Sequence, residues 1–322
     1  MSRGLDYILA RQSADGAWSD WALPPGPAPH WTTAHIGRCL SQLPRPHPPH
    51  LLRALERAAD WLCAHRLPGG AWGYNDRTEP DADSTSLSVL FLSAMNRALG
   101  SGPVAFLRQA QRLDGGFATF LPDGLTGTWG QSHAEVTAIT LLALSAVPGG
   151  INARQAAEGL AWLRRHRRPD GTWSAYWWTT PYLTTGLARS CLAAFGGGEG
   201  AAPVLPLPDD SLQAAHLLSM MPHAATQHAA LTGRLLDAQK LDGSWAGKPA
   251  LRIPPRDCAA PWNEPESPVY ADPNRLFTTA TVISALSGSG AGVGFSEGSV
   301  ENPQKVQRTA FPGQNYSATP SA

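Results

Sequence analysis

Apolar residues recur at helical spacing along most of the chain, and almost no run alternates with a period of two. The elements are therefore helices. They come in two kinds that take turns. The runs 5–11, 51–65, 104–111, 153–166 and 224–239 keep their apolar residues on one face and their charges on the other. Each is followed, after a turn and a loop, by a run that is more apolar and rich in small residues: 32–43, 84–98, 132–146, 182–195 and 276–286. A helix with one apolar stripe faces solvent on its other side, whereas a helix that is apolar all round must be buried all round. Alternating pairs of this kind close into concentric rings. The pattern predicts an all-α protein, a single (α/α)5-6 barrel over residues 1–288 with a central apolar cavity. The Gly- and Ser-rich segment 289–322 is expected to be a flexible C-terminal tail.

A repeat marks the joint inside each pair. Gln12-Ser13-Ala14-Asp15-Gly16-Ala17-Trp18 returns in altered form ending at Trp72, Phe117, Trp173 and Trp245, at spacings of 54, 45, 56 and 72 residues. Asp-Gly favours a tight turn because Gly accepts a positive φ. The aromatic residue after it is suited to core packing. The widest gap leaves room for one degenerate unit around residues 211–221.

Composition narrows the function. The 322 residues carry no net charge and no basic block, which argues against nucleic acid as a partner. No apolar run is long enough to span a membrane, leaving at most transient membrane contact, and the N-terminus has no signal-peptide pattern. Cys39, Cys63, Cys191 and Cys258 are widely spaced. That usage predicts reduced thiols in a cytoplasmic protein. Charged residues make up only 16% of the chain while Trp occurs twelve times, a combination that suits either a large core or a ring-walled pocket.

Against that background one short stretch stands apart. Asp81 and Asp83, one residue apart, follow Pro80 and directly precede the apolar run from Ser84 to Leu92. Asp or Ser here makes a good N-cap. The same position also puts a carboxyl at the inner end of a barrel helix, facing whatever the cavity holds.

The Gln-x-x-Asp-Gly-x-Trp repeats, together with Asp81-Ala82-Asp83-Ser84-Thr85 before an inner helix, resemble class II terpene cyclases of the squalene–hopene type. With room for one barrel only, the chain is most similar to the single-domain bacterial enzymes that cyclise meroterpenoids. The resemblance implies a cyclase that protonates a terminal alkene and closes rings through carbocations. It implies Asp83 as the acid, with Asp81 as its neighbour. Ser84 stands where the family has a third acid. A second similar stretch is Ser132-His133-Ala134-Glu135-Val136-Thr137-Ala138-Ile139, where the family's supporting His is replaced by Ile139. Asp81, Ser84, Thr85 or His133 is then expected to support Asp83. Ser132 and Glu135 also read as a capping box, and His133 as a surface or capping residue.

A protonation-initiated cascade needs a buried acid, π-faces to hold the cation, and exclusion of water. The aromatic candidates from the first half of the chain are Trp31, Trp72, Tyr74, Phe91 and Trp129. Those from the second half are Trp177, Trp178, Tyr182, Trp262, Tyr270 and Phe277. Arg252 and Arg256, with Lys248, form a cationic loop suited to a substrate head group. No Asp-Asp-x-x-Asp motif or zinc-ligand spacing is present, so no metal and no cofactor is expected. The expected partner is an isoprenoid small molecule; monomer and dimer both remain open. The alternative is a prenyl-binding or protein-prenyltransferase-like barrel without cyclase chemistry.

Overall fold

A computed structural model describes residues 2–122, 126–197, 203–221, 226–264 and 267–288. The predicted tail, 289–322, lies outside the described residues. Among the described residues the chain forms eleven α-helices: α1 (Ser2–Leu9), α2 (Pro29–Ser41), α3 (Pro49–Ala64), α4 (Ala82–Ala94), α5 (Gly102–Gln109), α6 (Ala134–Ser145), α7 (Ala153–Arg165), α8 (Tyr182–Ala194), α9 (Ser211–Met220), α10 (Thr226–Asp237) and α11 (Leu276–Leu286). Two short antiparallel pairs sit in the loops, β1 (Ala22–Leu23) with β2 (Gly26–Pro27) and β3 (Leu251–Arg252) with β4 (Val269–Tyr270).

Helices α2, α4, α6, α8, α9 and α11 pack each on the next, and α11 returns to α2. The more amphipathic α1, α3, α5, α7 and α10 pack outside this ring. Burial follows the pattern. In α4 and α6 nearly every residue is buried, whereas α3 and α7 bury one stripe each. The degenerate unit expected near 211–221 is α9, which completes the ring. Residues 203–207 before it are not helical.

The repeat explains how outer and inner helices are tied together. Each repeat Trp sends its indole N–H back to the preceding outer helix: Trp18 to the Ile8 carbonyl, Trp72 to Leu62, Trp173 to Leu163 and Trp245 to Leu235. Its own backbone N–H is taken by a Thr hydroxyl in the first turns of the following inner helix. The pairs are Trp18 with Thr33, Trp72 with Thr85, Phe117 with Thr137, Trp173 with Thr185 and Trp245 with Thr279. The repeat Gln closes the turn by donating to the Gly carbonyl four residues on, as Gln12 does to Gly16. Gly16 has φ +107°, and a Cβ there would meet the Arg57 carbonyl at 2.6 Å. These bonds satisfy buried donors and acceptors at the joints, where an unpaired group costs about 1–3 kcal/mol.

The ladder also fixes orientation. Every repeat turn feeds the N-terminus of an inner helix, so all these N-termini lie at one end of the ring, among the connecting loops. Asp81 and Asp83 stand at that end.

Candidate active site

Asp81 is the N-cap of α4. Its Oδ1 accepts from the Ser84 backbone N–H at 2.6 Å and its Oδ2 from the Ser84 hydroxyl at 2.8 Å. Both oxygens are thus engaged in capping. Asp83 lies in the first turn of α4 and is differently placed. Its Oδ2 accepts the indole N–H of Trp31, from α2, at 2.7 Å. Among the described residues its Oδ1 has no hydrogen bond, and the residue lines the cavity.

Burial raises both carboxyls from their ordinary range, Asp81 to about 7 and Asp83 to about 6. For Asp81 desolvation is the main cause and the neighbouring Asp83 adds to it. For Asp83 desolvation raises and the Trp31 N–H lowers. Desolvation disfavours the charged form, while a donor to the carboxylate favours it. Asp83 therefore keeps its proton to higher pH than an ordinary carboxyl, up to about pH 6, and has a hydrogen bond waiting for its conjugate base.

The chamber over Asp83 has a volume of about 250 Å³. Its walls are aromatic: Trp31, Tyr74, Phe120, Trp129, Trp177 and Trp178. The β1–β2 hairpin contributes Leu23, Pro24 and Pro25. The rings are braced by each other and by hydrogen bonds. Trp31 stacks on Phe277 at 4.9 Å, and Trp129 meets Trp177 edge-on at 5.4 Å. Trp177 donates to Thr119 Oγ1 and Trp129 to the Pro254 carbonyl. Below Asp83 the chamber narrows into a slot bordered by Leu87, Ile139 and Phe277.

A third carboxyl borders both spaces. Glu135, in the first turn of α6, is 3% exposed. Its Oε1 accepts from the backbone N–H groups of Tyr176 (2.7 Å) and Trp177 (2.8 Å). Its Oε2 is buried and has no partner among the described residues. Burial raises its titration, and Asp83 adds to that rise. The capping-box reading does not hold: His133 is the N-cap residue, Ser132 donates to Asp114, and Glu135 holds the Tyr176–Trp177 segment. The available signal was one acid in the first turn of a helix otherwise free of charge.

Several expected residues are elsewhere. Thr85 bonds both backbone groups of Trp72 and is fully buried, so it serves the repeat and not Asp83. Ser84 bonds Asp81 instead. His133 donates from Nε2 to the Thr128 carbonyl at 3.0 Å and stacks on Tyr176 at 3.7 Å. Burial pushes its imidazole down to about 3, and it lines a separate groove with Trp262. Trp262 is 49% exposed. Trp72 is the repeat residue described above, and Phe91 packs under Gly37, where a Cβ would meet its ring at 2.5 Å. Tyr182 donates to the Pro206 carbonyl and borders a different chamber, while Tyr270 sits in β4 outside the cavity wall.

The cationic loop is also reassigned. The Arg252 guanidinium donates to four carbonyls, of Ala175, Tyr176, Trp178 and Pro261. It staples the Trp177 segment to β3, with four of its five N–H groups engaged by backbone carbonyls. The Arg256 guanidinium lies over the Trp129 ring at 4.8 Å, and Lys248 pairs with Asp209. Among the described residues no three His, Cys, Asp or Glu side chains gather as a metal site, and no helix is long and apolar enough to cross a membrane. The four cysteines are free thiols.

Comparison with known proteins agrees with the geometry. No protein-family model matches the chain. Among curated proteins it is 29% identical over 196 residues to a drimenyl diphosphate synthase of Streptantibioticus cattleyicolor. That match covers 59% of this chain and 32% of the relative, so the chain spans about a third of the relative's length. Among solved structures, a protein from Actinoplanes superposes with a TM-score of 0.77 at 28% identity, covering 90% of this chain and 98% of that one. The type II terpene cyclase MstE from Scytonema gives 0.75 at 24% identity, covering 90% and 96%. The fold is that of type II terpene cyclases, and in sequence the chain resembles the same class.

Proposed function

We propose that this protein is a class II terpene cyclase built as one (α/α) barrel of five to six helix pairs over residues 1–288. The observation that carries this reading is the Asp83 carboxyl. One oxygen is bonded by Trp31, and the carboxyl lines a chamber walled mainly by aromatic and aliphatic side chains. In the first step the O–H bond of Asp83 breaks and its proton forms a C–H bond with the terminal alkene carbon. The alkene π pair supplies that bond and leaves a tertiary cation. The next alkene's π pair closes a ring onto the cation, and the charge moves along the chain. Loss of a proton or capture of water ends the sequence.

Trp31 stabilises the Asp83 carboxylate as it forms, since a charge-assisted hydrogen bond is about twice as strong as a neutral one. The ring faces of Trp31, Trp129, Trp177 and Trp178 stabilise the cation, at about 2 kcal/mol or more per desolvated contact. Asp81, engaged with Ser84, holds the first turn of α4 so that Asp83 points inward.

The substrate class follows from the relatives. MstE has been solved with geranylgeranyl dihydroxybenzoate as its substrate, and the curated relative is named for a drimenyl diphosphate. We take the substrate here to be a linear prenyl chain on a diphosphate or an aromatic acid. A non-cyclising prenyl-binding barrel would have no use for a carboxyl whose titration is raised to about 6 by burial in its chamber. Asp83→Asn tests the reading: with a linear prenyl substrate it should retain binding and lose turnover by at least about 100-fold. Turnover at the wild-type rate would contradict it.

A further inference from the structure

The far end of the cavity system has different chemistry. The slot below Asp83, about 40 Å³, shares His35, Arg38, Leu183 and Leu187 with a second chamber of about 110 Å³. Arg38 stands seven residues beyond Trp31 on α2, roughly 10 Å further along the barrel axis. This second chamber is polar where the first is aromatic: Gln42, Ser190, His216, Ser219 and Ser284 border it, and no carboxylate does.

Among the described residues, two groups there lack partners. Arg38 Nε and His216 Nε2 are both buried without a hydrogen bond, and His216 is 7% exposed. No described carboxylate pairs with the Arg38 guanidinium. Burial lowers the titration of Arg38, His35 and His216 alike, the sign of cationic groups left without a counter-charge. Arg38 is only partly buried, but an unpaired donor at its buried Nε is costly to the fold. An anion placed between Arg38 and His216 would remove that cost.

We propose that this chamber is the anion-binding end of the substrate site. It takes the phosphate or carboxylate head group of an amphiphile whose terminal alkene lies at Asp83. The fork of Arg38 matches the paired oxygens of either anion. His216, in the tautomer with hydrogen on Nε2, supplies a further donor. The prenyl chain then folds in the aromatic chamber beside Asp83, and its head reaches through the slot towards the C-terminal ends of the inner helices. This orientation rests on the cyclase reading, whereas the anion site itself does not.

The test has two arms. Inorganic phosphate, titrated into the full-length ligand-free protein, should shift the ¹⁵N imidazole signals of His216 to saturation in wild type but not in Arg38→Gln. In the second arm, one prenyl chain is offered as its phosphate and as its alcohol, with binding read by tryptophan fluorescence. Wild type should prefer the phosphate by about tenfold or more, and Arg38→Gln should bind both alike. An unchanged preference in Arg38→Gln overturns the proposal, and so does phosphate binding with no preference for the charged chain in wild type. The thermal midpoint of ligand-free Arg38→Gln should equal or exceed that of wild type; a lower one would mean the fold already satisfies the guanidinium, and also overturns the proposal. Loss of the cyclase reading through Asp83→Asn would leave the phosphate arm standing.

Discussion

Replacing Trp31 by Phe removes the indole N–H from the site and trims the ring that packs on Trp21, Tyr74, Trp178 and Phe277. The 2.7 Å bond to Asp83 Oδ2 is lost, while a ring remains to stack on Phe277. A hydrogen bond to a charged acceptor contributes about 1.5–3 kcal/mol. Part of that is present already with the neutral acid, so the lower half of the range applies to the difference between acid and conjugate base. One pKa unit corresponds to about 1.4 kcal/mol, so the Asp83 carboxyl should titrate roughly one unit above its value of about 6. A weaker acid transfers its proton more slowly, and kcat on the low-pH plateau should fall by up to about tenfold. The assay is kcat against pH from 5 to 9 on a linear prenyl substrate. Activity requires the protonated acid, so the rate declines as pH rises, and in Trp31→Phe this decline should begin at higher pH. The position of the decline belongs to the coupled Asp81–Asp83 pair. A purely structural Trp31 would change KM or stability and leave the pH limb where it is. An unshifted limb with kcat within about twofold of wild type would refute the role given to this indole.

Other outcomes follow from the same geometry. Asp83 has a raised native pKa, so its protonated form favours folding below about pH 4 and that contribution fades as pH rises through about 6. Asp83→Asn escapes ionisation, and its thermal midpoint should gain on wild type as pH rises from about 4 to about 6 and hold that gain above; a difference that stays constant from about pH 4 to 7 would contradict the shift. Asp83 helps hold the Glu135 titration up, so in Asp83→Asn ¹³C NMR should find the Glu135 carboxyl titrating lower, and an unchanged value would mean the two do not sense each other. Arg252→Met leaves four carbonyls unpaired and should cost at least about 3 kcal/mol in denaturant unfolding, without altering head-group preference; a loss under about 1 kcal/mol would undo its assignment as a staple. Thr85→Val breaks two bonds to Trp72 and should destabilise by about 1–3 kcal/mol with kcat unchanged, whereas a kcat loss at intact stability would return Thr85 to the acid site.

The ring of inner and outer helices was legible because burial on one side or on all sides writes itself directly into hydrophobic periodicity. Even α9, whose repeat signature is lost, was visible as a gap of the right width. Asp81 and Asp83 were legible because two acids in front of an apolar helix contradict their surroundings. What escaped was direction. Thr85 and Ser84 are adjacent to Asp83 in sequence, yet a helix turns successive side chains about 100° apart, and they face Trp72 and Asp81 instead. The support for Asp83 comes from Trp31, 52 residues away, through a contact that only the packing of α2 on α4 creates. Ring count was equally blind to place: Trp72 and Trp129 look alike in sequence, but one closes a repeat joint and the other walls the chamber. Arg252 read as a free cation because its four acceptors are backbone carbonyls, which leave no trace in side-chain identity.

The central claim is that Asp83 delivers a proton to an alkene carbon, and solvent deuterium tests it most directly. Turnover of a linear prenyl substrate in D₂O, after the protein has exchanged, should give a cyclised product heavier by one deuterium, on the carbon that received the proton. Asp83→Asn should give none. A cyclised product without deuterium, or labelled product formed at the wild-type rate by Asp83→Asn, would contradict the account.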